Sequence, residues 1–351
     1  IILDEPTAVL TPSETEGLFR IMRSLAAAGR SIVFITHKLK EVLAIADRIT
    51  VMRHGKVVGA TTPSESGEAQ LASMMVGRSV MLTVAKEPAK PAGVVLQLQG
   101  VSVRDERGLV AVDSLDLEVR SGEIVALAGV QGNGQTELVE AITGARHVES
   151  GKVTLAGKNL TNAKPRKVLG SGVGYVPEDR QRDALVLQLP IRDNLVLDMH
   201  GDSRFAGFAS RKLGAIRENA EQRLEEFDIR ATSVDEEVSS LSGGNQQKVV
   251  AARELSRPIK LMIASQPTRG LDVGSIEYVH RRIVEERDKG CAMLIVSSEL
   301  DEVLALGDRI AVMYRGRITG IVGPEAGRDK IGLLMAGVSD APEGDGEEGS
   351  A

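Results

Sequence analysis

The chain has 351 residues, 42% of them hydrophobic, enough for two or three domains with sizeable cores. A net charge of −6, an aromatic content of 2% and no Trp argue against a nucleic-acid partner, which asks for a basic footprint and stacking rings. Cys291 is the one cysteine, so no internal disulfide forms and a reducing compartment fits, and no apolar run reaches membrane-spanning length.

The chain opens on "IILDEPT", an apolar run that ends at Asp4 and Glu5 and reads as a buried strand. A start inside a strand leads to the expectation of an N-terminal truncation. Lys86-Glu-Pro-Ala-Lys-Pro marks a boundary, with a linker expected over 86–92. Ile124 to Ala128 reads as a buried strand before the glycine-rich "GVQGNGQT", and Thr136 to Thr143 as the opening of a helix. The more polar stretch from about 190 to 240 is expected to form a helical lobe. Leu261 to Ala264, Met293 to Val296 and Ile310 to Met313 are further buried strands, with helical patterns at 275–289 and 299–306. Strands alternating with helices predict an α/β fold with a parallel-sheet core. The tail 339–351 has five acidic residues and no basic ones, and is expected to be solvated and disordered.

A repeat organises these elements. "DEPTAVLT" matches "SQPTRGLD" at a shift of 261 residues, and the same shift takes "THKLKEV" to "SSELDEV" and "DRITVMRHGK" to "DRIAVMYRGR". Such a register implies two copies of one domain. The first copy, residues 1–85, would be partial and the second, 93–338, complete. By the same shift, the glycine-rich loop of the first copy would lie about 130 residues before Ile1.

Two motifs carry chemistry. In residues 129–136, Gly129, Gly132 and Gly134 let the backbone curl so that N–H groups face phosphate oxygens, and a helix N-terminus follows. Gln135 stands where a phosphate-binding loop has lysine, so the loop keeps hydrogen-bond donors but lacks the charge that assists phosphoryl transfer. In "LSGGNQQK", residues 241–248, Ser242 sits where an N-cap belongs, and Ser242, Gly243 and Gly244 offer further donors to an anion.

Leu241 to Gln247 resembles the signature motif of ABC transporter ATPases, and the order of the other motifs extends the resemblance over nearly the whole chain. It is similar to the duplicated ATP-binding subunits of sugar-type importers, in the branch for simple sugars and nucleosides. The resemblance implies a P-loop NTPase fold with a helical subdomain and the cofactors ATP and Mg²⁺. It implies that Asp4 and Thr136 hold the metal, that Glu5 acts as base on the attacking water and that His37 touches the γ-phosphate. It further implies nucleotide contacts from Gly129, Gly132, Asn133, Gly134, Gln135, Thr136 and Glu178, and from Ser242, Gly243, Gly244 and Asn245 of the signature.

In the second copy Asp4 becomes Ser265, Glu5 becomes Gln266 and His37 becomes Ser298. With Gln135, four positions have lost their charge or titratable group, so this site is expected to hold nucleotide but to hydrolyse it poorly. The expectation is that Glu5 and His37 work against the second copy's signature motif, and that the chain alone, lacking the first loop, is not hydrolytic. The resemblance implies a peripheral protein on the cytoplasmic face of the plasma membrane, bound to integral-membrane permease subunits and indirectly to a solute-binding protein. It leaves open one or two such chains per transporter. A non-hydrolytic regulatory module and a soluble ABC-type ATPase are the alternatives.

Overall fold

The structure, a computed structural model, describes residues 1–7, 10, 12–53, 55–77, 84–199, 201–207 and 210–338. The tail 339–351 lies outside them. The chain divides into two units: residues 1–85 with 270–281, and residues 86–269 with 282–351.

In the first unit, β1 (Ile2–Asp4) pairs in parallel with β2 (Val33–Ile35), and α1 (Pro12–Ala27) makes the crossover that parallel neighbours require. Then follow α2 (Leu39–Ile45), the hairpin β3 (Ile49–Arg53) with β4 (Lys56–Thr61), and α3 (Glu68–Val76). Leu39, Ile49, Val51, Leu71 and Ala72 form its apolar cluster. Phe19 of α1 meets Phe34 of β2 edge to face, 6.1 Å between ring centres. Ile2, Val33 and Ile35 remain exposed.

The second unit opens with β5 (Val94–Arg104), β6 (Val110–Arg120) and β7 (Ile124–Ala128), then α4 (Gln135–Thr143), β8 (Val148–Leu155), β9 (Lys158–Asn159), α5 (Pro165–Gly170) and β10 (Val173–Val176). It continues through α6 (Ile191–Asn194), α7 (Leu213–Glu226), α8 (Gly243–Leu255), β11 (Leu261–Ser265) and α9 (Val273–Asp288), whose residues from Arg282 belong here. It ends with β12 (Ala292–Ser297), α10 (Leu300–Leu306), β13 (Arg309–Tyr314), β14 (Arg317–Val322) and α11 (Gly327–Met335). The six-stranded sheet runs β10-β11-β12-β7-β13-β14, parallel except for β14. An antiparallel sheet, β6-β5-β8-β9, accompanies it.

β7 is buried on both faces, as a central parallel strand must be. Val125 and Leu127 point into the cluster shared with β5, β6, β8 and α4. Ala126 and Ala128 face Val303 of α10 and Leu334 of α11. Burying a side chain of leucine size contributes about 1.5–3 kcal/mol, so this strand organises much of the unit.

Buried charges pin its start. Asp308 accepts from the Ile124 amide at 2.9 Å, from Arg287 at 3.0 Å and from Lys86 at 3.1 Å. Lys86 also donates to the carbonyls of Leu306 and Gly307, and burial lowers its pKa against the pull of Asp308. Residues 86–92 are therefore an anchored strap: Arg287 holds the Glu87 carbonyl, and the Ala92 amide bonds the Ser121 carbonyl.

Among the described residues of 190–240, the helices are α6, α7 and a short turn at Val238–Ser240. The other described residues are turns, irregular backbone and the isolated bridges Pro190–Glu237 and Ala206–Arg211, and residues such as Asp202, which accepts from the Arg204 amide, bind nearby backbone in competition with a helix. Val196, Met199, Phe205 and Ile216 close a small core there. No described helix is long and apolar enough to cross a membrane.

The two units share internal geometry. Ile2 pairs with Val33 as Ile263 pairs with Leu294, and the match holds through Asp4–Ile35 and Ser265–Val296. β3–β4 and β13–β14 carry the same register with a bulge at the same place. Ile263, Leu294 and Val296 are buried where Ile2, Val33 and Ile35 are exposed, since β11 and β12 lie inside a wide sheet.

Removing the carboxylate in Asp308→Ala takes one partner from the buried Arg287, which keeps Asp288 and the Glu87 carbonyl, and takes the acceptor from the Ile124 amide. Leaving that buried amide unsatisfied costs about 1–3 kcal/mol. Urea unfolding should show a lower midpoint at unchanged slope.

Candidate functional site

In the first unit the strand ends β1 and β2 present Asp4, Glu5 and His37. Glu5 has a left-handed backbone, φ 44°, and its amide bonds the Ile35 carbonyl at 2.8 Å. A non-glycine residue there is uncommon and turns the side chain off the strand line. The His37 Nδ1 lies 2.9 Å from Glu5 Oε1. The Thr36 hydroxyl accepts from the Lys38 amide at 3.1 Å and Thr7 donates to Glu41 at 2.7 Å, fixing the loops around the pair. Asp4 is exposed beside Glu5.

The second unit repeats the frame with different chemistry. Gln266 has φ 46° and its amide bonds the Val296 carbonyl at 2.7 Å. The Glu299 amide bonds Ser297 at 3.1 Å, and Thr268 donates to Glu302 at 2.7 Å. Where Glu5 meets His37, Gln266 Oε1 accepts from the Ser298 hydroxyl at 3.4 Å. Nothing in that contact can take a proton near neutral pH.

The glycine-rich loop joins β7 to α4. Gly132 and Gly134 have φ of 87° and 103°. A Cβ on Gly134 would sit 2.1 Å from the Ala111 carbonyl, and one on Gly129 would sit 2.2 Å from Gln135 Nε2. Gly134 demands glycine on space as well as on φ, Gly132 on φ and Gly129 on space. Asn133 ties the loop to the β13–β14 turn: its side-chain oxygen accepts from the Arg315 amide at 2.8 Å and its carbonyl from the Gly316 amide at 2.9 Å. Gln135 is buried and folds back, donating to the Val130 carbonyl at 3.2 Å. Thr136 is exposed in the first turn of α4.

Glu178 follows β10. It accepts from Gln131 of the loop at 3.2 Å and is ion-paired with Arg269. The Arg269 carbonyl accepts from Arg180 at 3.0 Å, and burial lowers the Arg180 pKa. Sequence reasoning passed over Gln131, Arg180 and Arg269. The signal was present for Arg269, which the repeat register sets opposite Ala8, a charge gained among several lost.

Ser242 caps α8, with its hydroxyl 3.5 Å from the Asn245 amide and 3.1 Å from the Asn245 side-chain nitrogen. Asn245 in turn accepts from the Arg230 amide at 3.0 Å. Gly243 and Gly244 form the first turn. The structure thus brings Glu178 to the loop and Glu5 to His37, while Ser242 and Asn245 bond each other and the segment after α7. Cys291 takes no part, and burial pushes its thiol up to about 12.

A model of the ABC transporter family matches residues 112–269. The nucleoside import ATP-binding protein NupA of Lactococcus lactis subsp. cremoris (strain MG1363) is 48% identical over 338 residues, which is 96% of this chain and 67% of that protein. The chain belongs to the ABC transporter ATPase family. The guanosine import ATP-binding protein NupO of Bacillus subtilis (strain 168) is 46% identical over 96% of this chain and 66% of its own length. The chain therefore spans about two thirds of the length of the curated relatives it matches. Among solved structures, a nucleotide-free ATP-binding cassette from an ABC transporter matches 70% of this chain and 96% of its own, with TM-score 0.57 and 22% identity, a likeness of fold.

ABC transporter ATPases imply ATP with Mg²⁺, and the two units differ in their fit to the metal. Asp4 and Glu5 offer adjacent carboxylates, the ligands a hard cation prefers. In the second unit Thr136 and Ser265 are neutral hydroxyls and the Glu178 carboxylate is held by Arg269. Among the described residues no group of three or more His, Cys, Asp or Glu gathers around a metal-sized space. The second unit's donor set, neutral hydroxyls and a paired carboxylate, is poorer for a divalent cation than the adjacent carboxylates of the first.

Gly134→Ala should cost about 1–3 kcal/mol through overpacking, with added strain from the left-handed backbone. A lower melting temperature together with loss of nucleotide binding, read by fluorescent-nucleotide titration, is the expected result.

Proposed function

We propose that the chain is part of the energy-coupling ATPase subunit of an importer, driving uptake of a simple sugar or nucleoside through a separate permease. The observation that carries this is the pair of matched strand ends: one presents Glu5 and His37 in hydrogen-bond contact, the other Gln266 and Ser298 on the same backbone. Two cassettes of one kind, one catalytic and one not, account for it. The shared strand registers and the names of the relatives, NupA and NupO among them, support the reading.

In this reading Glu5 orients and deprotonates the attacking water, and the contact from His37 holds the carboxylate in place. Mg²⁺, when bound, offsets phosphate charge, and Asp4 is the residue that would hold it there. The glycine-rich loop and Thr136 hold nucleotide in the second cassette, and Gln135 supplies a hydrogen bond without charge. The backbone around Ser242, Gly243, Gly244 and Asn245 serves as the signature donor set.

The chain then works peripherally at the cytoplasmic face, against permease subunits that receive solute from a binding protein. Residues 1–351 contain one glycine-rich loop, the one with Gln135, so these residues alone are expected to turn ATP over slowly.

In the intact subunit, Glu5→Gln should lower ATP turnover about 10²–10⁴-fold, the range of a general base, while Gln266→Ala leaves it nearly unchanged. Phosphate release with each variant tests this, and equal losses would sink the assignment.

A further inference from the structure

The register that removes a charge or titratable group at Ser265, Gln266 and Ser298 adds a charge at Arg269. The guanidinium is ion-paired with Glu178, whose Oε1 also accepts from Gln131 inside the glycine-rich loop at 3.2 Å. Arg180 grips the Arg269 carbonyl, so the backbone behind the guanidinium is held too. Meanwhile Gln135, in the lysine position, gives one of its two amide hydrogens to the Val130 carbonyl and brings no charge. The cation joined to the phosphate loop through hydrogen bonds is therefore an arginine.

A bound polyphosphate needs positive charge close by. A hard divalent cation would look for a carboxylate at the strand ends, and finds the hydroxyls of Ser265 and Thr136 instead. A guanidinium needs no such ligand. Its five donors in a planar fork can keep one edge on Glu178 and give another to phosphate oxygens. We propose that the phosphate loop of the second unit binds a nucleoside di- or triphosphate without a divalent cation, with Arg269 supplying the charge and Glu178 positioning it. This rests on the reading of residues 129–136 as a nucleotide site.

The chain has one such loop, so nucleotide bound to the 351-residue protein reports on it. The test is calorimetric titration with ATP, ADP and AMP, in Mg²⁺ and in EDTA. Binding of ATP and ADP should be within about threefold in the two media, because a metal-independent site gains little from the ion. Arg269→Gln should weaken ATP binding in EDTA by about ten- to a hundredfold, the value of a charge-assisted hydrogen bond. AMP, with a single phosphate, should lose less, and Arg269→Lys should restore part of the loss. Thermal melting of each variant checks folding, and if Arg269→Gln does not fold, the wild-type comparison and Arg269→Lys still decide. Wild-type ATP binding that disappears in EDTA overturns the proposal and leaves the nucleotide site standing. So does an Arg269→Gln protein that binds in EDTA as well as wild type. No binding in either medium overturns the nucleotide-site reading, and the proposal with it.

Discussion

The second unit depends on how β7 is held. Its five residues are buried on both faces, and the residue before it, Glu123, accepts from Arg309 at 2.6 Å while Asp308 takes the Ile124 amide. Buried carboxylates are costly unless paired, and here each is paired with an arginine and with backbone donors. The strand is thereby fixed at its start, so its carboxyl end can carry a sharp loop with glycines at positive φ. The loop is held at its far side by Asn133 against the β13–β14 turn. Phosphate binding by backbone amides depends on such rigidity, because donors that must be ordered on binding lose affinity.

A second polar network links the segment around Glu178 to the capped helix α8. Glu254 accepts from the Tyr175 amide of β10 at 3.1 Å and pairs with Arg253 and Arg257. Arg253 donates to the Ala184 carbonyl at 2.7 Å, and Gln181 donates to Gln246 at 2.9 Å. The residues between Glu178 and Ala184 thus ride on α8, whose N-terminus is Ser242.

The chemistry of the two strand-end pairs differs while their backbone does not. Left-handed Glu5 and Gln266, the threonine–glutamate bonds Thr7–Glu41 and Thr268–Glu302, and the bulged hairpins all recur. Backbone geometry here is set by strand pairing and by buried hydroxyl–carboxylate contacts, which neither Gln266 nor Ser298 disturbs. Loss of a titratable group at a strand end therefore changes reactivity without changing the fold.

Much of this was legible in the residues. The apolar runs at 124–128, 261–264, 293–296 and 310–313 lie within β7, β11, β12 and β13, because a strand buried on both faces needs an unbroken apolar run. The glycine spacing announced the loop, and Ser242 before two glycines announced the cap of α8. The stretch 190–240 was less legible, since its polar residues bind local backbone in ways that periodicity does not encode. Residues 86–92 look like a free linker in sequence, and only packing shows Lys86 and the Glu87 carbonyl bound to Asp308 and Arg287, some two hundred residues away. Arg269 is the same case. Sequence alone determined the apolar strands β7, β11, β12 and β13, the loop and which charges are missing, because those follow from local pattern, while the antiparallel sheet β6-β5-β8-β9 did not show in it. Tertiary structure alone decided which charges meet, because Glu178, Gln131 and Arg269 come together only when separate strands place their ends side by side.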